Sequence, residues 1–399
     1  MSFYIYLNNY YQELSIFLYL IPIISSLWAA YALLINKKRL YSQIYLAICF
    51  IILGIGMTLS FYDDRYASGH DNHILRTINL TFSVFSTISI LLYFTSLLQP
   101  DKLTKKHIIK YVSVGLVYMI ILLTYEILFG QSTEKITGWD REFIDISNPS
   151  ILFRLIAAGC IIPIEIFVFT KILVMYFKYR KYIRESFSYG EDIKLNWILY
   201  ILFLCMLFGL IDVVWMINTS LFTKAIFNVV SIVVICSIFW LGFRQEEIPI
   251  EEDGIIEDLI GSNPFSTKIK PIGLIAEQQE KIESQILDYF NTAKPYLNPE
   301  LSLNHVANAI KTDKGYIFQL IKRNFNTNFY AFVNKYRVEH AINLIMQNDN
   351  DDNINIAAIS KQSGFKSKRA FNKQFKEITG YSPCEYIKEV KEKVLNILK

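Results

Sequence analysis

Lys368, Arg369, Asn372 and Lys373 fall at i, i+1, i+4 and i+5, a spacing that gathers them on one exposed face of a helix. Phe371 and Phe375, four residues apart, fall on the opposite side. Lysine and arginine suit the acceptor pair on a guanine edge, and asparagine suits the donor–acceptor pair on adenine. Lys366 and Lys376 flank this set, and Lys322 and Arg323 form a second basic pair upstream. Those four are expected to hold phosphates, which position a protein on a duplex without reading sequence. Each lysine alone would be an ordinary solvated charge; the group on one face is what points to double-stranded DNA.

The elements that must present these side chains can be read from apolar spacing. Ser302 marks a helix start, and Leu303, Val306, Ala307 and Ile310 form an apolar stripe behind it. Lys311-Thr312-Asp313 makes a short polar turn, after which Ile317, Leu320 and Ile321 point inward. A longer helix is predicted over Phe329–Met346. The pattern then recurs: Ile356, Ile359 and Ser360 precede the turn Gly364-Phe365-Lys366-Ser367, and a second helix carries Phe371 and Phe375. Asn326 and Gly380 occupy matching positions, so the two helix-turn-helix units read as an internal duplication.

This region resembles the AraC family of transcription regulators. The resemblance is carried by Gly364-Phe365-Lys366-Ser367, Phe371, Phe375-Lys376, Thr379-Gly380-Tyr381-Ser382-Pro383 and Tyr386. Ile317, Leu320, Ile321-Lys322-Arg323, Tyr336-Arg337 and Ala341 extend it into the first unit and the connecting helix. It covers about residues 290–390 and implies that Lys368, Arg369, Asn372 and Lys373, with Lys314, Phe318 and Gln319 in the first unit, occupy base-contacting positions. It also implies that the two units reach successive major-groove turns about 34 Å apart. Asn326 stands where the family usually has glycine, a place for left-handed backbone that asparagine tolerates. Ser360 replaces a common alanine, and Gly315 and Phe318 make the expected exposed face of the first reading helix less polar.

The rest of the chain is of another kind. Of 399 residues, 53% are hydrophobic and 19% charged, with a mean hydropathy of +0.30, so the average leans toward membrane. The formal net charge of +4 hides a segregation: charges are sparse before Arg244 and dense after it. A bilayer core of about 30 Å needs about 20 apolar residues per helix. Seven such runs are predicted, at Leu14–Ile35, Leu40–Phe61, Ile74–Leu98, Ile108–Phe129, Ile151–Phe177, Leu195–Ile217 and Leu221–Phe243. Basic residues collect in alternate loops: Lys37, Lys38 and Arg39; Lys102, Lys105 and Lys106; Lys178, Arg180, Lys181, Arg184 and Lys194; then Arg244. The other loops carry Asp63, Asp64 and Asp71 against Arg65, and Glu134, Asp140, Glu142 and Asp145 against Lys135 and Arg141. The bias places the N-terminus outside and the C-terminal module in the cytoplasm of a bacterial inner membrane, a multi-pass topology.

The expected fold is all-α: a seven-helix transmembrane bundle over 1–244, an acidic linker and short amphipathic helix over 245–293, and an AraC-type module over 294–394. The linker begins with Glu246, Glu247, Glu251, Glu252 and Asp253, continues with Gly261, Pro264, Pro271 and Gly273, and ends in an amphipathic stretch at Ile275–Thr292. Within the spans, Glu165 and Asp212 are the candidate sensing groups, since a charge in lipid must face the bundle interior and find partners. Glu126, Arg76 and Arg154 read as interhelical or interfacial groups. Pro163 predicts a kink beside Glu165.

No nucleophile, P-loop, kinase or zincin motif occurs, and the five cysteines form no CxxC pair, so neither an enzyme, a cofactor nor a metal site is expected. The last span has no buried lysine suited to a Schiff base, Lys224 lying at its edge. The expected function is a membrane-anchored, sequence-specific transcription regulator that answers an unidentified small-molecule or protein signal, with a homodimer as a compatible assembly. Two alternatives stay open: a tethered precursor cut in the linker, and a transporter or channel with a regulatory DNA-binding domain.

Overall fold

The computed structural model describes residues 2–37, 40–66, 73–129, 149–190, 192–193, 195–217, 221–245, 276–347 and 355–389. Among them the fold is helical without strands, apart from one isolated antiparallel bridge between Phe187 and Ser302. The chain divides into two compact units. One holds Met1–Tyr176 and Asn196–Ile250, and the other holds Phe177–Leu195 and Glu251–Lys399.

The first unit is built from α1 (Ser2–Ile35), α2 (Tyr41–Tyr66), α3 (His73–Leu98), α4 (Lys105–Phe129), most of α5 (Pro149–Ser186), α6 (Asn196–Ile217) and α7 (Leu221–Phe243). Helix α1 packs on α2 and α7, α2 on α3, α3 on α4, and α6 on α7. Six of these are long and apolar enough to cross a membrane among the described residues: Ile16–Ile35, Tyr41–Tyr62, Thr77–Leu98, Lys105–Phe129, Leu155–Ser186 and Ala225–Phe243. The seventh, α6, is helical throughout; its side chains are described as far as Gly209, giving the apolar stretch Asn196–Gly209. Large apolar groups such as Phe17, Ile24, Trp28, Ile109, Ile127 and Phe203 stand exposed on the helices. A continuous apolar exterior of this kind suits lipid rather than water.

Helix α5 runs nine residues past the expected end of the fifth span, Phe177, to Ser186. The expectation read Lys178, Arg180, Lys181 and Arg184 as a loop. Lysine, arginine and tyrosine end the apolar stretch but not the helix, because straight-chain cations are good helix formers in water.

A buried polar node joins three elements of this unit. Gln245, just past α7, donates to the Ser42 hydroxyl at 2.5 Å and accepts from Tyr93 at 2.6 Å, while Gln43 donates to the Gly242 carbonyl at 2.9 Å. Gly242 allows the approach, since a Cβ there would lie 2.2 Å from Leu46 Cδ2.

The second unit begins with α8 (Ala276–Thr292), whose Ile282, Ile286 and Phe290 enter a core with Leu303, Val306, Ile317, Leu320, Phe329 and Phe332. Helices α9 (Leu303–Ile310) and α10 (Lys314–Asn324) form the first helix-turn-helix, α11 (Phe329–Gln347) connects, and α12 (Ile356–Gln362) and α13 (Lys368–Thr379) form the second. Another helix starts at 383. A separate core, made by Val338, Ala341, Ile345, Ile359, Phe365, Phe371 and Phe375, holds the second unit to α11. The predicted boundaries of α8 and α11 agree to within one residue. Most of the linker, 246–275, lies outside the described residues.

Candidate nucleic-acid interface

The second helix-turn-helix is fixed by four local devices. The Asn355 side chain accepts from the Ala357 and Ala358 amides at 3.0 and 3.1 Å, capping α12. The turn then passes through Gly364 at φ +79°, where a Cβ would lie 2.3 Å from the Tyr296 carbonyl oxygen. Both the backbone angle and the close approach require glycine. Ser367 caps α13 by accepting from the Ala370 amide at 3.1 Å, and Gly380 at φ +84° ends the helix.

Phe371 and Phe375 on α13 are fully buried, at 0% exposure, so the opposite face must look outward. It carries Lys368, Arg369, Asn372, Lys373 and Lys376, all exposed as the spacing predicts. Lys373 also forms an i,i+4 pair with Glu377 at 3.7 Å, a contact worth a few tenths of a kcal/mol that a phosphate or base could displace. Lys366, in the turn, is exposed and reaches Glu300 at 3.0 Å.

The first reader has the same scaffold and a different surface. Ser302 and His305 form a reciprocal capping box on α9, and Asp313 accepts from the Gly315 amide at 2.6 Å to start α10. Asn326 takes the left-handed conformation, φ +47°, at the position that Gly380 fills in the second unit. Arg323 is exposed and Lys322 half-buried. Gly315 and Phe318, expected on an open face, are buried; Phe318 belongs to the core around Ile317 and Phe290. Lys314, Phe318 and Gln319 are 7%, 5% and 6% exposed, so in this conformation none of the three is presented to solvent. The aromatic at Phe318 is the sequence signal of this difference: an apolar ring in a reading position tends to pack.

Arg337 is a residue that sequence reading registered only as part of the connecting-helix pattern. It sits on α11, 1% exposed, between the two readers. Nε donates to the Tyr296 carbonyl at 2.8 Å, and Nη2 donates to the Asn298 carbonyl at 2.8 Å. Nη1 reaches Asn334 Oδ1 at 3.2 Å and the Ser188 carbonyl at 3.0 Å, and Nη2 reaches the Ser188 hydroxyl at 2.9 Å. Desolvation lowers its pKa to about 10, yet the cation persists near neutrality because oxygen acceptors surround it.

The first unit contains a separate cavity of about 130 Å³, lined mostly by apolar groups such as Leu46, Phe50, Phe82 and Ile238, with Ser60, Asn79, Glu165 and Asn228 as polar members. Glu165 thus faces the bundle interior, as expected, and approaches α6 where Gly209 has no side chain; a Cβ there would lie 3.1 Å from Glu165 Oε2. The side chain of Asp212 lies outside the described residues, as do those of Arg76 and Arg154. Glu126 is buried and accepts from the Thr77 hydroxyl at 3.0 Å, an interhelical contact between α4 and α3.

A helix-turn-helix domain family matches residues 306–389. The Msm operon regulatory protein of Streptococcus mutans serotype c is 24% identical over 115 residues, which are 28% of this chain and 40% of that protein. The chain thus spans less than half the length of this curated relative. No solved structure matches the chain.

Proposed function

We propose that this chain is a DNA-binding transcription regulator of the AraC type that works from the membrane and adjusts promoter binding to a signal received by its helical bundle; the match of residues 306–389 to a helix-turn-helix domain family supports the DNA-binding part. One observation carries the reading. A capped, rigidly packed recognition helix, α13, presents Lys368, Arg369, Asn372 and Lys373 on a single exposed face. These four are assigned to base edges, together with Lys314, Phe318 and Gln319 once the first reader opens. Lys322, Arg323, Lys366 and Lys376 are assigned to phosphates.

The long apolar helices support a multi-pass anchor. The basic loops support an outer N-terminus and a cytoplasmic module. The cavity beside Glu165 supports an internal site for a small ligand, with Asp212 as a second candidate sensing group. A homodimer reading four half-sites fits the same design. Genome-wide occupancy of the tagged full-length chain, compared with a form lacking residues 1–244, tests the proposal. Sharp promoter peaks that change when the spans are removed are expected. The absence of any sequence-specific peak would refute DNA reading, and identical peaks and transcript levels would refute sensing.

A further inference from the structure

The segment that joins α5 to α6 belongs to the compact unit of the DNA-reading module. Its residues are seated among groups that the preceding section assigns to DNA. The Ser188 amide donates to the Leu301 carbonyl at 3.0 Å, and Phe187 pairs with Ser302, the cap of the first reader. Ser188 is 1% exposed and takes two of the Arg337 hydrogen bonds. Glu185, also buried, lies 3.8 Å from Lys322. The Lys366 ammonium sits 4.6 Å from the centre of the Tyr189 ring. Asp192 accepts a hydrogen bond from the Ser367 hydroxyl, the cap of α13.

Two of these contacts, Glu185 with Lys322 and Asp192 with Ser367, share one chemistry. The start of a helix with its capping hydroxyl, flanked by a lysine, is a ready site for an oxyanion. On DNA that oxyanion is a phosphate; here a carboxylate of the same chain takes the place. Glu185 repeats the substitution at Lys322. In the same conformation, the reading positions of α10 are closed, with Lys314, Phe318 and Gln319 at most 7% exposed. We propose that residues 185–190 and 192 are an internal ligand of the module that stands in for the DNA backbone, so that the seated segment and a duplex exclude each other.

The proposal rests on the reading of the module as DNA-binding and names the piece of the chain that regulates it. Thermodynamic reciprocity follows: whatever unseats the segment raises DNA affinity, and DNA unseats the segment to the same degree. The tether need not carry the signal, because the segment is covalently continuous with two spans.

The test uses the full chain in lipid nanodiscs and a mixed-sequence DNA duplex two major-groove turns long, at low salt, where backbone contacts dominate. Glu185→Gln with Asp192→Asn keeps shape and removes both stand-in charges. It should bind roughly five- to tenfold tighter than the natural chain, at the lower end of typical coupling between sites. Tyr189→Ala should act in the same direction without changing charge, and Asp288→Asn, an exposed acid on α8, should change affinity far less. Hydrogen exchange of the peptide around 186–190 supplies a readout free of substitution: protected alone, it should lose protection when duplex is added. Affinity that is unchanged or weaker in both variants overturns the proposal, as does a segment that stays protected on bound duplex. Failure of the natural chain and every variant to bind any duplex would instead overturn the DNA-reading assignment beneath it.

Discussion

Arg369 and Lys376 stand on the same helix, yet their removal should fail in different ways. Arg369→Ala should cost about 1–3 kcal/mol on the cognate duplex and relax preference at one base pair. Lys376→Ala should weaken all sequences alike and reduce the slope of log affinity against log salt by about 0.9. Affinities on cognate and single-mismatch duplexes at several salt concentrations separate the two. Away from the interface, burial and the nearby Lys294 hold His340 below the usual histidine range. The folded module therefore favours the neutral ring. The stability this contributes is present above the unfolded value of about 6.5 and lost as pH falls through and below it. Thermal unfolding should show a decline between about pH 7 and pH 5, and His340→Gln should flatten it; an unchanged profile would sink the assignment.

The second helix-turn-helix draws its rigidity from a cap and a pair of buried rings, Phe371 and Phe375. Ser367→Ala should lower stability by about 1 kcal/mol, while Phe371→Ala should cost about 3–5 kcal/mol and release α13 from α11. Urea unfolding followed by near-ultraviolet signals distinguishes a frayed helix from a lost core. The boundaries of these helices were legible because caps and apolar spacing are local: Ser302, Ser367, Gly364 and the phenylalanine pair announce themselves within a few residues. The end of α5 was not legible. The charges of Lys178–Arg184 end the apolar stretch, and a helix that continues past such an end leaves no mark in hydropathy. The closure of the first reader was half legible, in the apolar character of Phe318, but whether such a ring packs or projects is decided by tertiary neighbours.

The same divide governs the whole molecule. The bundle and the module could be told apart by composition, since lipid and water select different surfaces. The contact of Ser188 with Arg337 spans 149 residues and carries no motif, so nothing along the chain foretold it. The cavity makes a separate claim at this scale. Glu165→Gln keeps the volume beside Gly209 and removes the charge; transcription should lose its response to the inducing condition, while duplex affinity of the purified chain without the inducer stays within about twofold. A reporter strain and the binding assay together check it, and equal responsiveness would remove Glu165 from the sensing path.

Only Phe187 separates the last residue of α5, Ser186, from Ser188. The end of the helix therefore meets the arginine between the two helix-turn-helix units with almost no slack, a geometry suited to a crankshaft rather than a leash. A small axial twist of the stretch 177–186, which shares a compact unit with Arg337, should be felt at that arginine. Two glycines inserted after Ser186 should disengage the drive and fix transcription at one level. The same insertion in the stretch 246–275 should pass unnoticed, and reporter output from the two strains decides between drive and tether.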